Sequence, residues 1–538
     1  MTSTTFDFVI VGGGSAGCVL AERLSRCGAY QVALLEAGGS GKSPFVTMPG
    51  GVAAMMHNKR LNWMLRSEDQ HLRGGKGLYT PRGKGLGGSS AINAMIYTRG
   101  APSDYEYWAS VSSADWAWPQ ILERFKRLEQ NERGADAFHG DQGPLHVSDV
   151  EPFYEVSKRF IDAAVQAGIP HNRDFNGADL YGVGAFQFTI YKGERFGTRR
   201  AFLEPALERP NLTVFTNAQV ERVTFKGQRT DGVLIRKGNQ HEHLKAEREV
   251  ILSAGAFHSP QLLMLSGIGC PEELRRHGLV AVVERPAVGA NLQEHVDVLV
   301  HYRNAQKDSL SLGPIGLSKL AGQTLKYWRT RDGALAHPPA EVGGFIRSRD
   351  NVDTPDLQLH LVPTRFDDSG YDLTAAFRHG FACHVCVLRP EARGRLYLHS
   401  KDVRTAPGFT YDFLHNQEDR RALLSGVQQI REIMDQPAMA AHNGGEVLPG
   451  KTTSEEELLE RIYRHCGLIY HPTSTCRMGN DKDAVVDAKL RVRGVEGLRV
   501  IDASIMPSVI SGNTNAPTMV IADVGADFIL ADAAKVGT

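Results

Sequence analysis

The stretch Gly12-Gly13-Gly14-Ser15-Ala16-Gly17 constrains this chain more than any other. It follows an apolar run at 6–11 that reads as a short buried strand. After it, Ala16, Val19, Leu20 and Leu24 recur at a spacing that predicts a helix. A second strand-like run at 31–35 ends at Glu36, with Ala37 behind it. Strand, glycine turn, helix, strand and acid in this order describe a Rossmann-like dinucleotide-binding unit. Gly12 permits the turn, Gly14 lets backbone approach a pyrophosphate, and Gly17 lets helix and strand pack closely. The start of the helix, at Ser15 and Ala16, offers unpaired N–H groups and a positive dipole end to phosphates. Glu36 stands 19 residues beyond Gly17, the right distance for a ribose hydroxyl. An acid there repels a 2′-phosphate, which argues against NADP. The motif alone leaves FAD and NAD both open.

A chain of 538 residues has room for more than one hydrophobic core, so two domains or one large elaborated one are expected. Lys plus Arg equals Asp plus Glu at 61 each, which gives no electrostatic case for a nucleic-acid partner. Seven scattered cysteines suit a reducing compartment better than a disulfide scaffold. The N-terminus lacks the features of a signal peptide, and no apolar run approaches the roughly 20 residues of a spanning helix. The expectation is a cytoplasmic protein without a transmembrane segment, with peripheral attachment to the inner face of the membrane left open.

Two further stretches narrow the reading. Residues 81–100 run PRGKGLGGSSAINAMIYTRG, and residues 255–269 run GAFHSPQLLMLSGIG. Gly87-Gly88-Ser89-Ser90 carries no bulky side chain, so backbone can approach a flat or phosphorylated ligand while the serines hydrogen-bond it. Leu262, Leu263 and Leu265 read as core. Both stretches resemble the signature sequences of the glucose–methanol–choline (GMC) oxidoreductases, and with the two chain ends the resemblance spans nearly the whole length. It implies FAD as cofactor and a GMC-type α/β fold. A Rossmann-like FAD-binding domain comes from 1–150, 200–300 and 461–538. A substrate domain built on an antiparallel sheet comes from 151–199 and 301–460. It further implies that Asn93, Ala94 and Met95 border the flavin, that Val220 meets the adenine through its main chain, and that Asp502 and Ala503 belong to the cofactor site. Some members attach FAD covalently through a histidine of the first signature; Ile92 stands there in this chain, so non-covalent FAD is expected.

Near the C-terminus, residues 470–479 run YHPTSTCRMG and residues 501–518 run IDASIMPSVISGNTNAPT. Histidine suits abstraction of a hydroxyl proton, because its neutral form accepts a proton near pH 7. Among 20 histidines, His471 is singled out by its match to the family's catalytic histidine. Asn515 matches the second catalytic position, with Asn513 a weaker competitor. An amide there orients the substrate oxygen but cannot act as base. Pro517 and the spacing of Val520, Ile521, Val524, Phe528 and Ile529 predict a helix starting beside Asn515. Its N-terminus is expected to face the flavin's pyrimidine edge.

Other features are given bland readings. Cys383 and Cys386 lie in a strand-like run without a second ligand pair, so they read as core cysteines and no metal is expected. Trp108, Trp116 and Trp118 read as packing, and 291–295 as a structural segment. The runs 357–362 and 395–398 read as strands, and the Gly- and Pro-rich stretch 313–344 as a loop over the site. The activity implied is FAD-dependent oxidation of a primary, medium-chain aliphatic alcohol, with a quinone or another electron acceptor as partner. Choline or sorbose-type sugar dehydrogenases, and hydroxynitrile lyases that leave FAD unreduced, are the alternatives.

Overall fold

The computed structural model describes residues 4–238, 240–311, 313–365 and 375–536. Strand β1 (Thr4–Val11) runs into helix α1 (Ser15–Ser25), and β2 (Val32–Leu35) lies parallel to β1. Val9, Ile10 and all of β2 are buried, as continuous apolar runs must be in a parallel sheet covered on both faces. β3 (Leu212–Phe215) pairs with β2 in parallel. β4 (Gln219–Lys226) and β5 (Arg229–Lys237) form an antiparallel pair that joins the first half of β6 (Gln240–Leu252). The rest of β6 runs parallel to β1, and its last residues also pair with β7 (Leu498–Val500). The sheet order is therefore β3-β2-β1-β6-β5-β4, with β7 on β6.

A second seven-stranded sheet is antiparallel at every pairing. Its order is Asn443–Leu448, Val296–Asn304, Gly380–Val387, Leu357–Val362, Val342–Ile346, Gly182–Ala185, with Gly467–Leu468 also on Val296–Asn304. The expected strands at 357–362 and around Cys383 and Cys386 belong to it, and both cysteines are buried. Residues 395–397 instead form a small hairpin with Gly408–Thr410.

Four more helices matter for the site: α2 (Gly255–Leu265), α3 (Pro314–Thr330), α4 (Gln417–Met434) and α5 (Asn515–Val536). α4 packs on the second sheet, and α5 lies against α1. Arg23 of α1 pairs with Asp523 and Asp527 of α5, and Arg124 and Arg127 converge on the same two carboxylates. Helix α3 corrects the reading of 313–344 as a loop. Pro314 occupies the first turn, where a missing N–H costs nothing, and the two internal glycines do not interrupt the helix. Trp108 and Trp116 pack against each other and beside Tyr105, as the bland reading expected.

Candidate active site

Both sheets contribute to one cavity of about 600 Å³. At one end the turn after β1 is held by unusually close backbone contacts. A Cβ on Gly17 would lie 1.9 Å from the carbonyl oxygen of Gly12, so only glycine lets α1 pack on β1 this way. Gly88 has φ +51°, and a Cβ there would fall 2.6 Å from the Cα of Gly14. The first signature loop and the nucleotide turn thus touch backbone to backbone, leaving Gly14, Ser15, Ala16, Gly88 and Ser89 along the cavity wall. The Glu36 carboxylate accepts from the amides of Gly13 (2.9 Å), Gly38 (2.7 Å) and Gly85 (2.9 Å), tying three glycine turns together. Asp502 accepts from the Gly255 amide (2.8 Å), the Ser259 hydroxyl (2.6 Å) and the Ser504 amide (2.8 Å). Burial pushes its carboxyl pKa up against those hydrogen bonds.

At the other end stands His471, 7% exposed. Its Nε2 lies 3.1 Å from Asn513 Nδ2, and its Nδ1 lies 3.0 Å from Nδ1 of His295. Burial lowers the His471 pKa well below the usual histidine value, with further lowering from His295, His360 and Arg82. The ring is therefore neutral, the form a base requires. Beneath it, Glu294 Oε1 accepts from the main-chain amides of His471 (2.6 Å) and His295 (2.9 Å). Burial raises the Glu294 pKa to about 8, with Arg82 opposing. His360 and His384 line the cavity from adjacent strands of the second sheet, and His384 Nδ1 meets Asp297 Oδ2 at 2.7 Å. Beyond them the wall is mostly apolar, with Leu310, Leu320, Leu335, Pro339, Val362 and Ala376, interrupted by Tyr154, Ser311, His337 and Thr364.

Most of the residues singled out in sequence meet here. Gly12, Gly14, Ser15, Ala16, Glu36, Ala37, Gly88, Ser89, Asn93, Ala94, Met95, Val220, His471, Asp502, Ala503 and Asn515 all line the cavity. Gly17, Gly87 and Ser90 stand behind the wall. The Ser90 hydroxyl is used internally, on Gly87 O and Thr198 Oγ1, each at 2.7 Å. The pairing of His471 with Asn515 is corrected. Asn515 opens α5, and its Oδ1 accepts from the Ser15 hydroxyl at 2.8 Å. Asn513, two residues before the helix, carries the amide that meets His471. Its Oδ1 is fixed by Thr98 Oγ1 (3.3 Å) and Gln358 Nε2 (3.2 Å). The segment 291–295, read as structural, supplies Glu294 and His295 to the site. His360 and His384 were missed, although a histidine inside an otherwise apolar strand run is a visible signal.

The chain matches the model of the GMC oxidoreductases over residues 6–297 and again over 390–522. The chain belongs to the GMC oxidoreductase family. It is 42% identical over 533 residues to an alcohol dehydrogenase [acceptor] of Pseudomonas putida, covering 98% of this chain and 96% of that one. It is 40% identical over 535 residues to the mitochondrial choline dehydrogenase of Mus musculus, covering 97% and 89%. Among solved structures, pyridoxine 4-oxidase from Mesorbium loti superposes with TM-score 0.87 at 29% identity, covering 97% and 98%. Formate oxidase superposes with TM-score 0.90 at 25% identity, covering 99% of both chains. In this GMC oxidoreductase the antiparallel second sheet, which the family resemblance implied, brings His360 and His384 to the cavity wall. Among the described residues, no helix is long and apolar enough to cross a membrane.

Proposed function

We propose that this GMC oxidoreductase oxidises a neutral primary alcohol, aliphatic and of medium chain length, to the aldehyde. The observation that carries the reading is the neutral, buried His471, with Nε2 turned to the Asn513 amide in a cavity whose lining is mostly apolar. FAD is the cofactor. The close Gly14–Gly88 backbone cradle and the start of α1 suit a pyrophosphate, and the Glu36 carboxylate on the wall suits an unphosphorylated ribose. Ile92 on the cavity wall offers no nucleophile, which supports non-covalent binding. Bound there, FAD supplies the acceptor for the hydride that leaves the carbinol carbon.

The chain's own groups handle the proton. An alcohol oxygen that replaces the direct contact of His471 Nε2 with Asn513 Nδ2 gives its proton to the imidazole and accepts a hydrogen bond from the amide. Alkoxide character then develops where a donor is already aimed. The apolar wall excludes water and takes the alkyl chain. α5 begins at Asn515 against the same cavity, and its positive dipole end is the proposed support for negative charge on the cofactor. The cofactor segments are placed at 1–150, 200–300 and 461–538, supported by β1–β7, and the substrate segments at 151–199 and 301–460. Strand Val296–Asn304 straddles one boundary.

Choline is the second reading, favoured by the mouse relative. Against it, Glu36 and Asp502 are the carboxylates lining the cavity among the described residues, and backbone amides and serine hydroxyls already occupy both. Arg82 on the wall near His471 carries a positive charge, which does not favour a cation. Anaerobic mixing with 1-octanol, choline and sorbose in turn tests the proposal. Flavin bleaching by octanol alone is expected, and bleaching by choline alone would reverse the assignment. Cleavage of a cyanohydrin without bleaching would make the chain a lyase. A quinone is the proposed electron acceptor, tested by turnover in air with and without one. Residence in the cytoplasm with peripheral membrane contact through α3 completes the proposal. Leu325 and Trp328 are each 52% exposed there, beside exposed Lys319 and Arg329, and vesicle flotation is the check.

A further inference from the structure

We infer that His295 is a positioning residue that fixes which ring nitrogen of His471 carries the proton. The inference rests on the reading of His471 as the base. The two rings meet edge to face, with Nδ1 to Nδ1 at 3.0 Å and planes at 86°. One hydrogen fits between two neutral imidazole nitrogens, so one ring donates and the other accepts. If His295 donated, His471 would carry its proton on Nε2, facing the N–H of Asn513 donor to donor.

The Asn513 amide cannot turn to relieve this clash without losing its other contacts. Its Oδ1 accepts from Thr98 Oγ1 and Gln358 Nε2, while Thr98 Oγ1 accepts from the Asn513 main-chain amide at 2.9 Å. His295 Nε2 is buried with no hydrogen-bond partner among the described residues, so the direction of the contact is set from the Asn513 side. His295 is fully buried and pushed down to about 3 by burial, so it stays neutral and serves as acceptor. Glu294 holds the two histidines in register by accepting from both main-chain amides. The consequence is a His471 with Nδ1–H donated to His295 and an Nε2 lone pair that accepts from Asn513 until an alcohol proton takes its place. His295 touches neither substrate nor cofactor site in this scheme; it acts through His471.

The test uses FAD-loaded protein labelled with ¹⁵N-histidine, with His471 signals identified by their loss in His471→Gln. Wild type is expected to show His471 protonated on Nδ1. His295→Asn places an amide oxygen where His295 Nδ1 was, and should keep both this tautomer and flavin reduction within a few-fold of wild type. His295→Gln puts its oxygen beyond that point, and His295→Leu removes the acceptor. Both should move the His471 proton largely to Nε2 and slow flavin reduction in proportion to the Nδ1–H form lost, about 100-fold where that form falls to about 1%, with little change in KM. The Asn–Gln comparison keeps the test decisive if the leucine variant fails to fold. A His471 that stays protonated on Nδ1 in the glutamine variant, or carries Nε2–H in wild type, overturns the inference. Failure of the underlying base assignment reads differently: His471→Ala would then keep flavin reduction, whatever the tautomer spectra show.

Discussion

At the scale of single residues, the two asparagines of Gly512-Asn513-Thr514-Asn515 divide the work that sequence reading gave to one of them. Asn513→Ala removes the donor aimed at the alcohol oxygen, and flavin reduction should slow about 100- to 1000-fold while FAD stays bound. Asn515→Ala breaks the tie to Ser15 where α1 and α5 both begin. It should weaken FAD binding and leave reduction of the loaded enzyme within about tenfold. Stopped-flow rates beside FAD titrations separate the two, and the reverse pattern would return Asn515 to the chemistry. The pH dependence follows from burial. The base is active when unprotonated, and lowering its pKa moves the loss of activity to below the ordinary histidine range. Reduction by alcohol should therefore run level as pH falls from 8 through 6.5, and a limb centred at 6.5 or above would contradict the buried, neutral ring. His471 was legible because it sits in a whole motif. The choice between Asn513 and Asn515 was not, since two asparagines two apart look alike in sequence and only the helix start at Asn515 separates their directions. His295, His360 and His384 reach the cavity through strand pairing that no local pattern records.

At the scale of elements, the nucleotide turn and its flanking strands could be read in full, because periodicity and glycine spacing are local. Helix α3 could not: glycine and proline counts suggested a loop, whereas Pro314 only marks where the helix starts. The joint between α1 and α5 was equally hidden, being built from charges some 500 positions apart. The Asp523 side chain is 1% exposed and faces Arg23, Arg124 and Arg127. Asp523→Ala leaves those guanidinium groups without their inner counter-charge and should cost about 3 kcal/mol, measured by chemical denaturation. A second buried cluster makes stability depend on pH. His139 Nε2 meets Asp174 at 2.8 Å and its Nδ1 meets Glu129 at 3.1 Å, while Arg99 holds the same Glu129 oxygen at 2.6 Å. Burial acts to lower the His139 pKa, but the hydrogen bonds to Asp174 and Glu129 prevail and raise it to about 9. A raised value means that the stabilisation is complete below about 6.5 and is lost as pH rises through 9. Between pH 7 and 10 wild type should lose about 2 kcal/mol more than His139→Gln, and parallel losses in the two proteins would remove His139 as the cause.

At the scale of the whole molecule, the cavity is the seam between two sheets that hardly resemble each other in topology. Gly12, Glu36 and Val220 come from the mixed sheet side, and His360 and His384 from the antiparallel one. A ligand filling that seam binds the folded arrangement of both sheets and has nothing comparable to hold in the unfolded chain. FAD should therefore stabilise the entire protein by mass action, about 2.7 kcal/mol at a hundredfold excess over its dissociation constant. Calorimetry of deflavinated protein titrated with FAD should show one transition that moves upward as a unit. Two transitions, with only the earlier one responding to FAD, would mean that the sheets unfold separately and that the cofactor is held by the first alone. The Asn515→Ala variant sharpens this test. It leaves every strand intact while loosening the contact between the two helix starts, so its transition should begin near that of wild-type deflavinated protein. It should then need more FAD to climb, which locates the coupling in the seam and not in either core.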